Sequence, residues 1–131
     1  MAIRIALDSN IVIAFIKGDQ EVKNLMNGMD EVLLPVPVVG ELIYGALKSQ
    51  NVKENLSKHL SFIKRTTLIP CDLAVAEQYG RIKTYLQLHG TPIPENDIWI
   101  AACCFAADVM LATRDAHFEE IPNMGICMFD S

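Results

Sequence analysis

Apolar residues follow two rhythms along this chain. Short, nearly continuous runs occur at 3–8 (IRIALD), 31–36 (EVLLPV), 66–70 (TTLIP), 108–115 (DVMLATRD) and 125–130 (GICMFD). Each has the length of a buried strand, and Pro35 ends the second or places it at an edge. Longer stretches between them repeat apolar positions every three or four residues, the helical period. They predict helices from Ser9 to about Lys17, then over 19–30, 37–49, 51–64, 72–89 and 95–106. Val22, Leu25, Met26 and Met29 share one side of the second helix, and Val39, Leu42, Ile43, Ala46 and Leu47 mark the third. Local chemistry supports the ends: Ser9 is a capping residue, Pro37 a good first helical residue, and Gly90 and Pro92 stop the long helix. The stretch ENDIWIAACCFA (95–106) is apolar almost all round beyond its acidic start, so its helix should be buried. Strands alternating with helices predict one α/β domain over 1–131, with a central, mostly parallel five-stranded sheet and helices on both faces.

Composition agrees and removes several classes of function. With 131 residues, 51% of them hydrophobic, the chain can fill one sizeable core. No apolar run approaches the roughly 18 residues of a membrane span. The start MAIRIALD lacks the features of a signal peptide, so no membrane role is expected and the cytoplasm is the expected location. Cys71, Cys103, Cys104 and Cys127 have no CxxC spacing and only three His residues accompany them, which argues for reduced, mostly buried thiols rather than a zinc site. The net charge of −5 disfavours a protein that coats DNA with a basic stripe.

The charge acquires a meaning once the acids are placed. In an open α/β sheet the working site lies beyond the carboxyl ends of the strands. Asp8 ends the first strand and Asp115 ends the strand at 108–115; Asp97 begins the buried helix, and Glu41 lies near the start of another. Each acid alone has an ordinary explanation as a turn residue, a cap or a partner of the helix dipole. Together they abut strongly apolar sequence, and the topology can bring them to one end of the sheet. Like charges about 4 Å apart repel by several kcal/mol at moderate dielectric, so such a cluster needs protons or a cation. Carboxylate oxygens with no His or Cys among them favour a hard ion, Mg2+ or Mn2+, suited to activating water against a phosphodiester.

Four stretches then become specific in combination: LDSNIVIAFI (7–16), ELIYGA (41–46), PENDIWIAA (94–102) and LATRDAHF (111–118). In this order and spacing they resemble the PIN-domain nucleases, in particular the VapC-type toxins of prokaryotic toxin–antitoxin pairs, over essentially the whole chain. The resemblance implies a PIN domain over 1–131 and a metal-dependent endoribonuclease that hydrolyses RNA with a metal-activated water. It implies Asp8, Glu41, Asp97 and Asp115 as catalytic and metal-binding residues, Mg2+ or Mn2+ as cofactor, a VapB-type antitoxin as partner, and a homodimer. In many relatives the last motif has Asn where this chain has Asp115, with an acid a few residues on, a place that Glu119 or Glu120 can fill.

Ser9, Asn10, Thr113 and Arg114 are the supporting candidates. Ser9 and Asn10 can position Asp8 or meet a phosphate at a helix N-terminus, although Ser9 also suits plain capping. Thr113 can hydrogen-bond a carboxylate, and Arg114 adjoins Asp115 and can meet an RNA backbone. Asn96 is expected to cap the helix carrying Asp97. His117, before Phe118, reads as local packing rather than a general acid. Tyr44 and Trp99 suit a core or an interface better than base stacking. The apolar residues Met26, Met29, Tyr44, Phe62 and Leu86 are compatible with interfaces. Two other readings remain: a PIN-like module that binds partners without nuclease activity, and a phosphatase of the haloacid-dehalogenase type. The phosphatase chemistry wants a second Asp two residues after the first, where this chain has Asn10.

Overall fold

Ile5, Ala6 and Leu7 are buried in succession, so both faces of the strand that carries them, β1 (Arg4–Leu7), are covered. The structure, a computed structural model, describes residues 1–130. Around β1 stand β2 (Glu31–Pro35), β3 (Thr67–Ile69), β4 (Leu111–Thr113) and β5 (Ile126–Met128), all parallel, in the order β3-β2-β1-β4-β5. Six helices flank the sheet: α1 (Ser9–Ile16), α2 (Gln20–Asn27), α3 (Val36–Leu47), α4 (Val52–Ile63), α5 (Leu73–Leu88) and α6 (Glu95–Ala107). A 3₁₀ turn, Ala116–Glu120, follows β4 and has no counterpart in the predicted elements.

The topology decides where a site can form. From β1 the chain steps outward to β2 and β3, then returns to place β4 on the other side of β1. Connections leave the shared edge of β1 and β4 in opposite directions, which opens a crevice beyond their carboxyl ends. α6 is apolar enough to lie inside, with Ile98, Ile100, Ala101, Ala102, Cys103 and Cys104 all buried, and it delivers its N-terminus to that same end.

Several local expectations are corrected. Asp8, not Ser9, caps α1: its side chain accepts the Ser9 N–H, and Ser9 is the first helical residue. α6 begins at Glu95 with Pro94 before it and no side-chain cap, so Asn96 lies inside the helix rather than capping it. The last two strands, Leu111–Thr113 and Ile126–Met128, are shorter than their apolar runs, although Met110, Gly125 and Phe129 beside them still make backbone hydrogen bonds to neighbouring strands. Of the apolar residues read as compatible with interfaces, Phe62 and Leu86 are in the core, Met26 and Met29 pack against it, and Tyr44 alone is exposed.

Candidate metal centre

Asp8 and Asp97 are buried, at 4% and 8% exposure, and Thr113 between their elements is wholly so. The pairing of β1 with β4 sets Leu7 beside Ala112, which carries Asp8 and Thr113 past the ends of neighbouring strands. There the Thr113 hydroxyl donates to Asp8 Oδ2 at 2.6 Å and accepts the Asp115 N–H at 3.0 Å. One hydroxyl thus ties together the two acids that end β1 and β4. The Ser9 N–H holds the other oxygen of Asp8 at 2.8 Å.

Asp115 caps the 3₁₀ turn by accepting the His117 N–H at 2.9 Å. The turn swings the His117 ring back over the acids, where Nδ1 lies 3.0 Å from Asp97 Oδ2 and 3.0 Å from Asp115 Oδ1. Glu41 enters from α3, with Oε1 buried and without a hydrogen-bond partner. Asn10 joins the crevice walls by accepting the Arg114 N–H at 3.3 Å. The Arg114 guanidinium turns away to Asp19, the cap of α2, at 2.9 Å.

The acids also act on one another's charge. Burial pushes the Asp8 carboxyl up; hydrogen bonds from Thr113 and Ser9 pull it back, and the charge of Asp115 raises it again. Glu41 is raised by burial, partly offset by the nearby Asn96 and Ser9 side chains, and raised further by Asp8 and Asp97. Asp97 is raised by burial, lowered by His117, and raised by Asp115 and Asp8. His117 is raised in turn, chiefly by its hydrogen bond to Asp97. Cys104 shows the same apolar surroundings: burial, with Asp8 adding to it, pushes the thiol up to about 12.

Three carboxyl groups are held above their ordinary range, and one buried oxygen has no partner, a combination that a bound cation could relieve. Asp97, Asp115 and His117 offer ligand atoms all within 4.8 Å of one another. Asp8 feels the charge of Asp115, and Glu41 feels those of Asp8 and Asp97. The donor set is mainly oxygen, which fits Mg2+ or Mn2+.

The structure therefore brings together Asp8, Glu41, Asp97 and Asp115, with Ser9, Asn10 and Thr113 beside them. Glu119 and Glu120 are exposed and outside the three-residue nucleus. Arg114 borders the crevice, but its charge is paired with Asp19. His117 is the residue that sequence reasoning missed. The spacing DAH does contain a signal, an Asp capping a turn two residues before a His, but only the fold shows that Asp97 awaits the ring.

A family profile described as PIN domain matches residues 5–124. The chain is 33% identical over 118 residues to Ribonuclease VapC2 of Haemophilus influenzae, covering 88% of this chain and 89% of the relative. It is 31% identical over 127 residues to the tRNA(fMet)-specific endonuclease VapC of Shigella flexneri, covering 93% and 95%. Its fold superposes on VapBC2 from Rickettsia felis bound to a promoter DNA fragment with a TM-score of 0.90 at 28% identity, covering 98% of this chain and 100% of the other. DNA-bound VapBC from Salmonella typhimurium matches with a TM-score of 0.89 at 29% identity, covering 96% and 98%.

Proposed function

The chain belongs to the PIN-domain family, and on that footing we propose that it is an endoribonuclease, the toxin of a type II toxin–antitoxin pair, using Mg2+ or Mn2+ to hydrolyse RNA at the crevice between β1 and β4. The VapC ribonuclease relatives support the activity, and the VapBC complexes support a VapB-type antitoxin as partner. The observation that carries the reading is the gathering of Asp8, Glu41, Asp97 and Asp115, with Glu41 Oε1 buried and unpartnered among them.

Asp97 and Asp115, with Asp8 and Glu41 behind them, are the residues that would hold the ion. When bound, such an ion supplies Lewis acidity, making water a competent nucleophile near neutral pH and offsetting charge that builds on the phosphate. The chain's own residues supply the geometry. Ser9 and Thr113 fix both oxygens of Asp8, so the carboxylate cannot turn aside. The N-termini of α1 and α6 open at this edge, where their field favours negative charge, whether of the acids or of a backbone phosphate. The four acids equal four of the five net negative charges, so RNA is repelled from the crevice until a cation is present.

Incubating the purified chain with labelled RNA tests the reading. Cleavage is expected with Mg2+ or Mn2+, giving 5′-phosphate and 3′-hydroxyl ends, and is expected to stop in excess EDTA. Undiminished cleavage in EDTA would overturn the metal mechanism. Failure to cut any cellular RNA with either ion would favour the partner-binding module instead.

Thr113→Val gives a finer check, because valine keeps the shape and removes the hydroxyl shared by Asp8 and Asp115. Cleavage is expected to fall about 10–100-fold, the usual effect of losing a group that orients a metal ligand. Asp8 also loses a hydrogen bond that favours its ionised form, so the rising limb of the pH–rate profile should move to higher pH. An unmoved profile would assign Thr113 to packing alone.

A further inference from the structure

Asp97 and Asp115 reach the crevice on different elements, yet both face the same ring nitrogen. His117 Nδ1 is 3.0 Å from Asp97 Oδ2 and 3.0 Å from Asp115 Oδ1. The ring is placed by construction: the Asp115 cap holds the His117 backbone, and buried Phe118 anchors the turn immediately after it. Neighbouring ligands of an octahedral ion with bonds of about 2.1 Å are about 3.0 Å apart. Two edges of the Asp97–His117–Asp115 group already have that spacing before any ion enters.

We propose that His117 is a nitrogen ligand of the divalent cation, completing a mixed nitrogen and oxygen set with Asp97 and Asp115, and that this nitrogen makes the chain prefer Mn2+ to Mg2+. The inference rests on reading the acids as a metal site. Its physical basis is ligand chemistry. Mg2+ takes oxygen donors and keeps its waters, whereas imidazole nitrogen is better matched to transition ions. An all-carboxylate centre has no such preference built in. The half-exposed His117 ring also leaves the ion reachable from solvent. The same 3.0 Å spacing serves a hydrogen bond from Nδ1–H, which would steady the two acids from outside the coordination shell. The two arrangements differ in where the nitrogen lies once the ion is bound.

Pulsed electron paramagnetic resonance of Mn2+ added to the full chain separates them. A directly bonded nitrogen-14 coupling is expected in the wild type and is expected to vanish in His117→Ala and His117→Asn. Calorimetric titration should show Mn2+ affinity falling about tenfold or more in both variants, within the range for disturbed metal sites, and Mg2+ affinity changing less than about threefold. Circular dichroism confirms that each variant is folded, and the wild-type nitrogen signal decides the matter if either is not. Bound Mn2+ without nitrogen coupling, or equal losses for the two ions, would overturn the inference while leaving the metal-dependent nuclease intact. Failure of the wild type to bind either ion would remove both.

Discussion

Asp8→Asn and Asp97→Asn are each expected to lower RNA cleavage by on the order of a thousandfold or more while leaving a chain that folds as well as the parent. Several kcal/mol of transition-state stabilisation from a metal corresponds to roughly that factor. The substitution is nearly isosteric. An amide oxygen at position 8 can still accept the Ser9 N–H that starts α1, so the cap is kept; the amide nitrogen then faces Thr113, whose hydroxyl must accept where it donated to the carboxylate. Both carboxyls are held above their ordinary range by burial, which makes their ionised forms a liability for the metal-free fold. The melting temperature of either variant without metal at neutral pH should therefore equal or exceed that of the parent. Lost activity with a raised melting temperature is the signature of a functional charge, and a structural ion pair would give the opposite. A gel assay with labelled RNA and a thermal melt followed by circular dichroism decide the case. Cleavage within a few-fold of the parent in the Asp8 or Asp97 variant would remove the acids from the mechanism.

Much of this was legible because the strands are buried on both faces. Ile5, Ala6 and Leu7 had to be apolar in succession, and the break at Asp8 then marked both the end of the strand and the edge where chemistry collects. Glu41 and Asp97 were legible for a related reason: each interrupts a helix whose neighbours are committed to the core. What the pattern could not supply was the detail of chain ends, where a few hydrogen bonds choose between alternatives. Capping by Asp8 instead of Ser9 is one such choice, and the start of α6 at Glu95 is another. Arg114 shows a different limit. Its place beside Asp115 suggested an RNA contact, but Asp19, 95 positions away, takes the guanidinium. His117 was hidden for the same reason, since its role depends on Asp97 across the crevice, 20 positions away.

The second large effect concerns stability. Mg2+ or Mn2+ added to the metal-free chain is expected to raise the melting temperature by on the order of 10 °C near pH 8, and by much less near pH 5. The sign follows from linkage. Asp8, Glu41 and Asp97 have raised pKa values in the fold, so the folded state holds protons that the unfolded chain releases above about pH 4. Their contribution is fully present below the unfolded values and is lost as pH rises through the folded ones. His117, also raised, acts in the same direction: its contribution is present below about pH 6.5 and is lost as pH rises through the folded value. Raising the pH leaves the metal-free crevice with more facing charge, the state a divalent cation binds best. At pH 5 protons compete for the same oxygens and for the same ring nitrogen. An ion at a hundred times its dissociation constant stabilises by about 2.7 kcal/mol, and a domain of this size shifts by roughly 3–4 °C per kcal/mol. Asp19 and Glu95, whose pKa values are lowered by hydrogen bonds and ion pairing with Arg114 and Lys83, titrate in the opposite sense. The informative quantity is therefore the metal-induced shift at each pH, compared with that of Asp8→Asn. The variant's shift should be small at every pH. A wild-type shift equal at pH 5 and pH 8, or one that survives intact in Asp8→Asn, would place the ion somewhere other than this crevice.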